Sequence, residues 1–217
     1  MELCKGYEAR KWAALNVRLE QGDRDAWDEA IGVFERRIEE RYLRCVDRLL
    51  EQDTQENLNT APGFTVMAIC CLLIDTLNGF YGKPRSEPEK CPVCKRRPPP
   101  DTRRAFVDFL TSSTHFHRDF DRNAASDFSQ NVRNAVLHSA ETRSGWLIRK
   151  DEPAERIVEK KGPHHYLLNR TRFFAALRRE FSDYLNRLRA GGENGLRRRF
   201  RDRMTEICKS DPELQPE

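Results

Sequence analysis

The stretch 130-QNVRNAVLHSAET-142 sets an arginine, an asparagine and a histidine among small apolar residues. On a helix, Asn134 and His138 stand four apart and share one face, one turn from each other. Arg133 is the neighbour of Asn134, and its long side chain can reach the same patch. Together they offer an always-charged bidentate phosphate ligand, an amide, and a group that titrates near neutrality. This is a minimal kit for cleaving RNA without a metal. The imidazole can act as general base on a 2′-hydroxyl or as general acid on a leaving 5′-oxygen. The guanidinium can stabilise charge that builds on the phosphate. One histidine does not easily do both jobs at once, whereas two chains meeting across a two-fold axis supply two Arg/His sets in one cleft. Against this, R-x4-H is short enough to recur by chance, and a histidine on a helix is more often an ordinary satisfied side chain.

Three other clusters can carry chemistry. Cys91 and Cys94 form CPVC, which has the spacing of half a zinc site. No second CxxC exists, but His115 and His117 form an HxH pair further on that can complete a Cys2His2 set. The competing reading is a proline-stiffened surface loop with two free thiols. The sequence thus raises a structural zinc at Cys91 and Cys94. The segment LRRRFRDR at 196–203 places Arg197, Arg198, Arg199 and Arg201 close together, where they can contact an RNA backbone. A solvated helix face with Asp202 and Glu206 as partners explains the same run, and KRRPPP at 95–100 is equally ambiguous. His164 and His165 either line a cleft or are loop histidines.

The elements that must position these residues are mostly helical. Residues 8–21 read as a short helix stopped by Gly22. Asp23 caps a second helix to about residue 52, whose apolar face is Ile31, Phe34, Ile38, Tyr42, Cys45 and Leu49. Residues 53–63, with Pro62-Gly63, read as a loop. A third helix, 64–80, is apolar nearly all round and therefore central, interrupted by Asp75 and Asn78. The proline-rich segment 82–102 cannot be helix. Helix resumes at 103–110 and at 121–138. GWLIRK (145–150) and RIVEKK (156–161) are β-like runs around Pro153, read as a small hairpin. Asn169 or Thr171 caps a helix with Phe173, Phe174, Leu177, Phe181, Tyr184, Leu185 and Leu188 inside, ended by Gly191-Gly192. A last helix covers 193–208. The fold class expected is all-α with a small β-hairpin appendage.

Composition sets the limits. The chain has 217 residues, with 38% hydrophobic and 34% charged, which suits a globular protein with a heavily charged surface. A net charge of +4 permits an anionic partner without demanding one. The seven cysteines are an odd number, and Cys70-Cys71 lie in an apolar run, which fits reduced core thiols better than a disulfide framework. No signal-peptide pattern opens the chain, and the longest apolar run, Val66–Ile74, is too short to span a bilayer. These features lead to the expectation of a cytoplasmic protein with no membrane partner.

RNAVLH at 133–138 also resembles the R-x4-6-H motif of the HEPN superfamily, helical-bundle proteins that include many metal-independent endoribonucleases of bacterial defence. The resemblance extends over residues 63–189. GFTVMAICCLLIDTLNGFYGK, RNAVLHSAETRSGWLI and LNRTRFFAALRREFSDYL look like a bacterial HEPN-like subgroup, in which an apolar helix ending in an acidic residue precedes the motif helix. A G-W-x-I strand and an N-R-T-x-F helix follow it. The resemblance implies a HEPN-type helical bundle, with Arg133 and His138 catalytic, Asn134 in support, and no cofactor needed for catalysis. Asp75 matches the supporting acidic position, although a structural buried carboxylate fits it equally. RNA as substrate, a homodimer, and an antitoxin or partner subunit of a defence system follow as expectations. The alternative is a non-catalytic HEPN-like module that binds RNA or a nucleotide. The division expected is N-terminal helices at 1–62, a core at 63–190 with the CPVC insertion at 82–102, and a basic C-terminal helix and tail at 191–217. The insertion departs from the family pattern.

Overall fold

The computed structural model describes residues 1–56, 61–82, 102–163 and 165–209. The protein is mainly helical, with two small sheets among the described residues. It divides into two compact units. One joins Met1–Asp47 to the chain from Phe181 onward, and the other is Arg48–Glu180.

The first unit opens with a short antiparallel pair, β1 (Glu2–Cys4) and β2 (Tyr7–Glu8), which the sequence pattern did not disclose. Helix α1 (Trp12–Glu20) follows a 3-10 turn. Asp23 caps α2 (Arg24–Ile38) as expected, its carboxylate accepting the Asp25 and Ala26 amides. A π-helical turn at Glu39–Leu43 then leads into α3 (Arg44–Glu56). That turn corrects the expected apolar face. Ile31, Phe34 and Ile38 are buried, but past the turn Leu43 and Val46 take the core positions, while Cys45 is exposed and Tyr42 half-buried. One wide turn adds a residue and rotates everything after it, which a constant 3.6 period does not anticipate. Phe34 forms edge-on contacts with Phe181, Tyr184 and Phe200 at centroid distances of 5.7, 6.1 and 5.5 Å, fixing α2 to the second half of α8 (Arg170–Ala190) and to α9 (Asn194–Lys209).

The second unit is built on α4 (Ala61–Tyr81). It starts three residues earlier than expected and takes Pro62-Gly63 into its first turn, where a missing proline N–H costs nothing. Likewise α3 continues to Glu56, so the expected loop at 53–63 is helical at both ends. Over Pro62–Tyr81 α4 reaches the length and apolarity of a membrane-crossing helix, beyond the nine-residue run visible in the sequence. Yet Val66, Met67, Cys70, Cys71, Leu73, Ile74, Leu77 and Phe80 are all buried, and α4 packs on α5 (Thr102–Ser112), on α7 (Asn134–Ser139) and on β3 (Trp146–Arg149). Burial pushes the thiols of Cys70 and Cys71 upward, as expected of inert core cysteines.

Asp121 caps α6 (Arg122–Phe128) by accepting the Ala124 amide at 2.7 Å. A second π-helical turn, Ser129–Arg133, joins α6 to α7. The expected hairpin is corrected. Its two runs form β3 and β4 (Val158–Gly162), but they do not pair with each other. The strand β5 (His165–Asn169) lies between them, parallel to β3 and antiparallel to β4. His165 therefore opens a strand instead of sitting in a loop, and His164 lies outside the described residues. Asn169 caps the following helix, accepting the Arg172 amide at 3.0 Å. A cluster of Phe116, Phe120, Phe128, Phe173 and Trp146 fills the centre of this unit, with ring centroids 5.0–6.3 Å apart among its contacts.

Candidate functional site at the α6–α7 junction

Arg133, Asn134 and His138 lie together on the second unit. Arg133 ends the π-helical turn, and Asn134 begins α7. The extra residue of that turn sets the aim of Arg133, and single π turns inside helices recur at functional sites. From α4, Asp75 faces it. The Arg133 Nε and Nη2 both donate to Asp75 Oδ2, at 3.2 and 2.6 Å, and Nη1 donates to Asn134 Oδ1 at 2.8 Å. The guanidinium carbon lies 5.3 Å from the centroid of Phe106 on α5, within cation–π range. Three helices thus fix one side chain.

This grip leaves capacity unused. Arg133 has five N–H donors, of which three are engaged, so one remains on each Nη. Its side chain is 14% exposed and that of Asp75 34%, so water and ligands reach the pair. Asp75 Oδ1 takes no hydrogen bond from a described residue. With Asn134 Oδ1 facing Arg133, the Nδ2 donors of Asn134 remain uncommitted. His138 lies one turn further along α7, exposed and without a hydrogen-bond partner among the described residues. Two residues later α7 stops at Ala140, a non-glycine residue in the left-handed region at φ 54°. The chain then returns tightly. The Arg143 amide donates to Asn131 O, Thr142 Oγ1 to Trp146 O, and Trp146 Nε1 to Asp127 Oδ2 at 2.6 Å. Asp127 also accepts from Asn131 Nδ2 at 3.0 Å, so one carboxylate ties α6, the π turn and β3 together behind the site. Trp146 in turn stacks on Tyr166 with centroids 4.4 Å apart.

Sequence reasoning therefore brought together residues that do meet: Arg133, Asn134 and Asp75, with His138 on the same short helix. It missed Phe106 and Asp127. Phe106 is one apolar residue of an ordinary amphipathic helix, so nothing marked it. Asp127 stands seven residues before Asn134, and its i, i+4 partner Asn131 looks like an ordinary helix-surface pair, so nothing marked it either.

The other candidates are distributed differently. Cys91 and Cys94 lie outside the described residues. His115 and His117 lie within the turn after α5, where His117 Nδ1 donates to Ser113 O at 3.0 Å. Among the described residues no group of three or more His, Cys, Asp or Glu side chains could hold a metal ion. The arginines of α9 belong to the first unit. Arg197 packs over the Trp27 ring at 4.2 Å and donates to Leu188 O at 2.9 Å, and burial lowers its pKa. Arg201 donates to Asn16 Oδ1 at 2.9 Å and pairs with Glu20. Arg199 is half-buried, and Arg198 is exposed. Two of the four are thus committed to holding α9 in place, Arg197 against Trp27 and Leu188 and Arg201 against Asn16 and Glu20 of α1. Glu206 pairs with Arg203 of the same run, as the solvated-face reading expected.

Comparison with known proteins finds no family model, no curated protein and no solved structure that matches this chain.

Proposed function

We propose that this protein is a metal-independent endoribonuclease of the HEPN type, acting as a toxin or effector in bacterial defence. The observation that carries the proposal is the fixed Arg133, held by Asp75 and Asn134 with two donors still open, beside an exposed His138. In this reading a 2′-hydroxyl attacks the adjacent phosphorus and the bond to the 5′-oxygen breaks. The products are a 2′,3′-cyclic phosphate and a 5′-hydroxyl. His138 moves the proton, taking it from the 2′-oxygen or giving it to the 5′-oxygen. Arg133 meets the charge that grows on the non-bridging oxygens. Asp75 and Asn134 hold its fork in place, so little reorganisation is needed at the moment of reaction. RNA is the substrate, Arg198 is the exposed one among Arg197, Arg198, Arg199 and Arg201 and so the one open to a phosphate backbone, and the cytoplasm is the compartment.

A homodimer completes the proposal, because two copies supply the acid and the base. Leu72, one turn before Asp75 on α4, is 42% exposed, and Leu137, next to His138, is 43% exposed. Both are large apolar residues beside the site, where a two-fold contact would cover them. Leu137→Glu is expected to convert a dimer to a monomer in sedimentation analysis and to abolish cleavage with it.

A second reading is favoured by a specific observation. Arg133 is mostly buried and already ion-paired, which equally suits a non-catalytic module that uses the patch to hold a nucleotide or RNA end, alone or within a larger complex. Product chemistry separates the two. Purified protein incubated with total RNA, with and without EDTA, is expected to leave 2′,3′-cyclic phosphate ends in both cases. RNA left intact, in the presence of any partner subunit that co-purifies, would favour the binding module.

A further inference from the structure

A cavity of about 340 Å³ lies elsewhere in the second unit, lined among others by His115, Arg118, Glu155, Arg172 and Arg179. Its construction follows from the sequence. Arg172, Ala175 and Arg179 stand at i, i+3 and i+7 of α8, one stripe of a helix about 10 Å long between the two arginines. The alanine between them leaves the space that a larger residue would fill. Arg118 comes from the turn joining α5 to α6. Phe116 and Phe120, both buried, anchor that turn to Phe173 of α8 at centroid distances of 5.0 and 6.2 Å. The packing of two phenylalanines thus delivers the arginine between them to the stripe on α8.

The charges in this cavity are unbalanced. Asp119 is already engaged by Arg156 Nε at 3.3 Å and by the Ile157 amide at 3.2 Å. Arg118, Arg172 and Arg179 have no carboxylate within ion-pair distance among the described residues. Elsewhere the arginines of this protein commonly find acidic partners, such as Arg18 with Asp23, Arg187 with Glu193 and Arg189 with Glu35. Three guanidinium groups from two separate elements, with His115 beside them and Glu155 as the one acid not otherwise engaged, form a concave site for an anion. The volume is at the small end of ligand pockets, sufficient for a diphosphate with a sugar attached.

We infer that this cavity is a binding site for a terminal phosphate or diphosphate group, supplied by a free nucleotide or by the 5′ end of an RNA. It is separate from the Arg133 patch and does not depend on that patch being catalytic, since a chain that cuts nothing can still bind phosphate here.

The test is calorimetric titration of the full chain with inorganic pyrophosphate. Saturable binding at one site per chain is expected. Arg172→Ala and Arg179→Ala should each weaken it about tenfold or more, as loss of a charged hydrogen bond does. Arg24→Ala, which removes an exposed charge from the first unit, should leave it unchanged. Because Arg172 and Arg179 are exposed, both variants should keep the parent's circular dichroism and melting temperature. Arg118→Ala provides a separate element should either fail to fold, and is expected to weaken binding similarly. Glu155→Gln should tighten binding by removing a repelling charge. Competition then identifies the source. Displacement of pyrophosphate by ADP points to a nucleotide, and displacement by a 5′-phosphorylated trinucleotide points to an RNA end. No saturable binding, an equal loss in Arg24→Ala, or equal competition by the 5′-hydroxyl trinucleotide would overturn the inference.

Discussion

Two Asp–Arg pairs of the second unit differ in how far water reaches them. Asp53 of α3 pairs with Arg170 at the start of α8, and Asp75 of α4 pairs with Arg133. The first pair is closed, with side chains 1% and 3% exposed, and Lys150 Nζ adds a second cation 3.7 Å from the same carboxylate oxygen. The residues around Arg170 in N-R-T are all engaged: Asn169 caps the helix and donates to Pro153 O, and Thr171 Oγ1 donates to Lys150 O. The second pair is half open, with side chains 14% and 34% exposed, and has His138 nearby. The same two residue types therefore do different work. Where water is excluded the pair locks elements together, and where one carboxylate edge stays wet the pair presents a cation.

The largest effect that would sharpen this contrast is on the closed pair. Arg170→Ala leaves a buried carboxylate with only the more distant Lys150 ammonium as a cation, and urea unfolding should show a loss of about 3–5 kcal/mol. Arg133→Ala leaves a carboxylate that water can reach, so its cost should be smaller, about 1–2 kcal/mol. Equal losses in the two variants would remove the distinction between them. Gly63 tests the closed pair from outside. A Cβ there would meet Arg170 Nη1 at 3.0 Å and Ile148 Cγ2 at 3.2 Å, so Gly63→Ala should cost about 1–2 kcal/mol by overpacking. An unchanged melting temperature would show that Arg170 can give way. The smallest effect lies beside the open pair. Ala140→Gly relieves a left-handed alanine at the exposed end of α7 and should add about 0.5–1 kcal/mol while leaving Arg133 in place.

The two pairs also show what a sequence discloses. Local signals were legible: Asp23 caps the helix that its position announced, and Asn169, one of two candidates, caps α8, because a cap depends on residues two or three away. The Asn134–His138 spacing was legible for the same reason, since both lie within one regular helix. Asp75 could be singled out by the resemblance, as the acidic residue of the apolar helix that precedes the motif. Asp53 could not, because it stood in a polar stretch that looked like loop, and its partner is 117 residues away. The β3–β5 pairing was hidden likewise. Parallel strands are joined by a long connection, and the run 165–169 is too short to announce itself beside two histidines. The π turns shift the helix faces after them, and nothing in the period of the apolar residues marks where the extra residue enters.

The most direct test of the central claim measures two quantities on one variant, His138→Ala. The claim is that the open pair and its histidine serve chemistry and not stability. With EDTA present, the rate constant for RNA cleavage should fall by roughly a hundredfold or more, the loss expected for a general acid or base. The unfolding free energy should stay within about 0.5 kcal/mol of the parent, because His138 is exposed and holds nothing. Cleavage as fast as the parent's, or a loss of stability that accounts for the lost activity, would contradict the account.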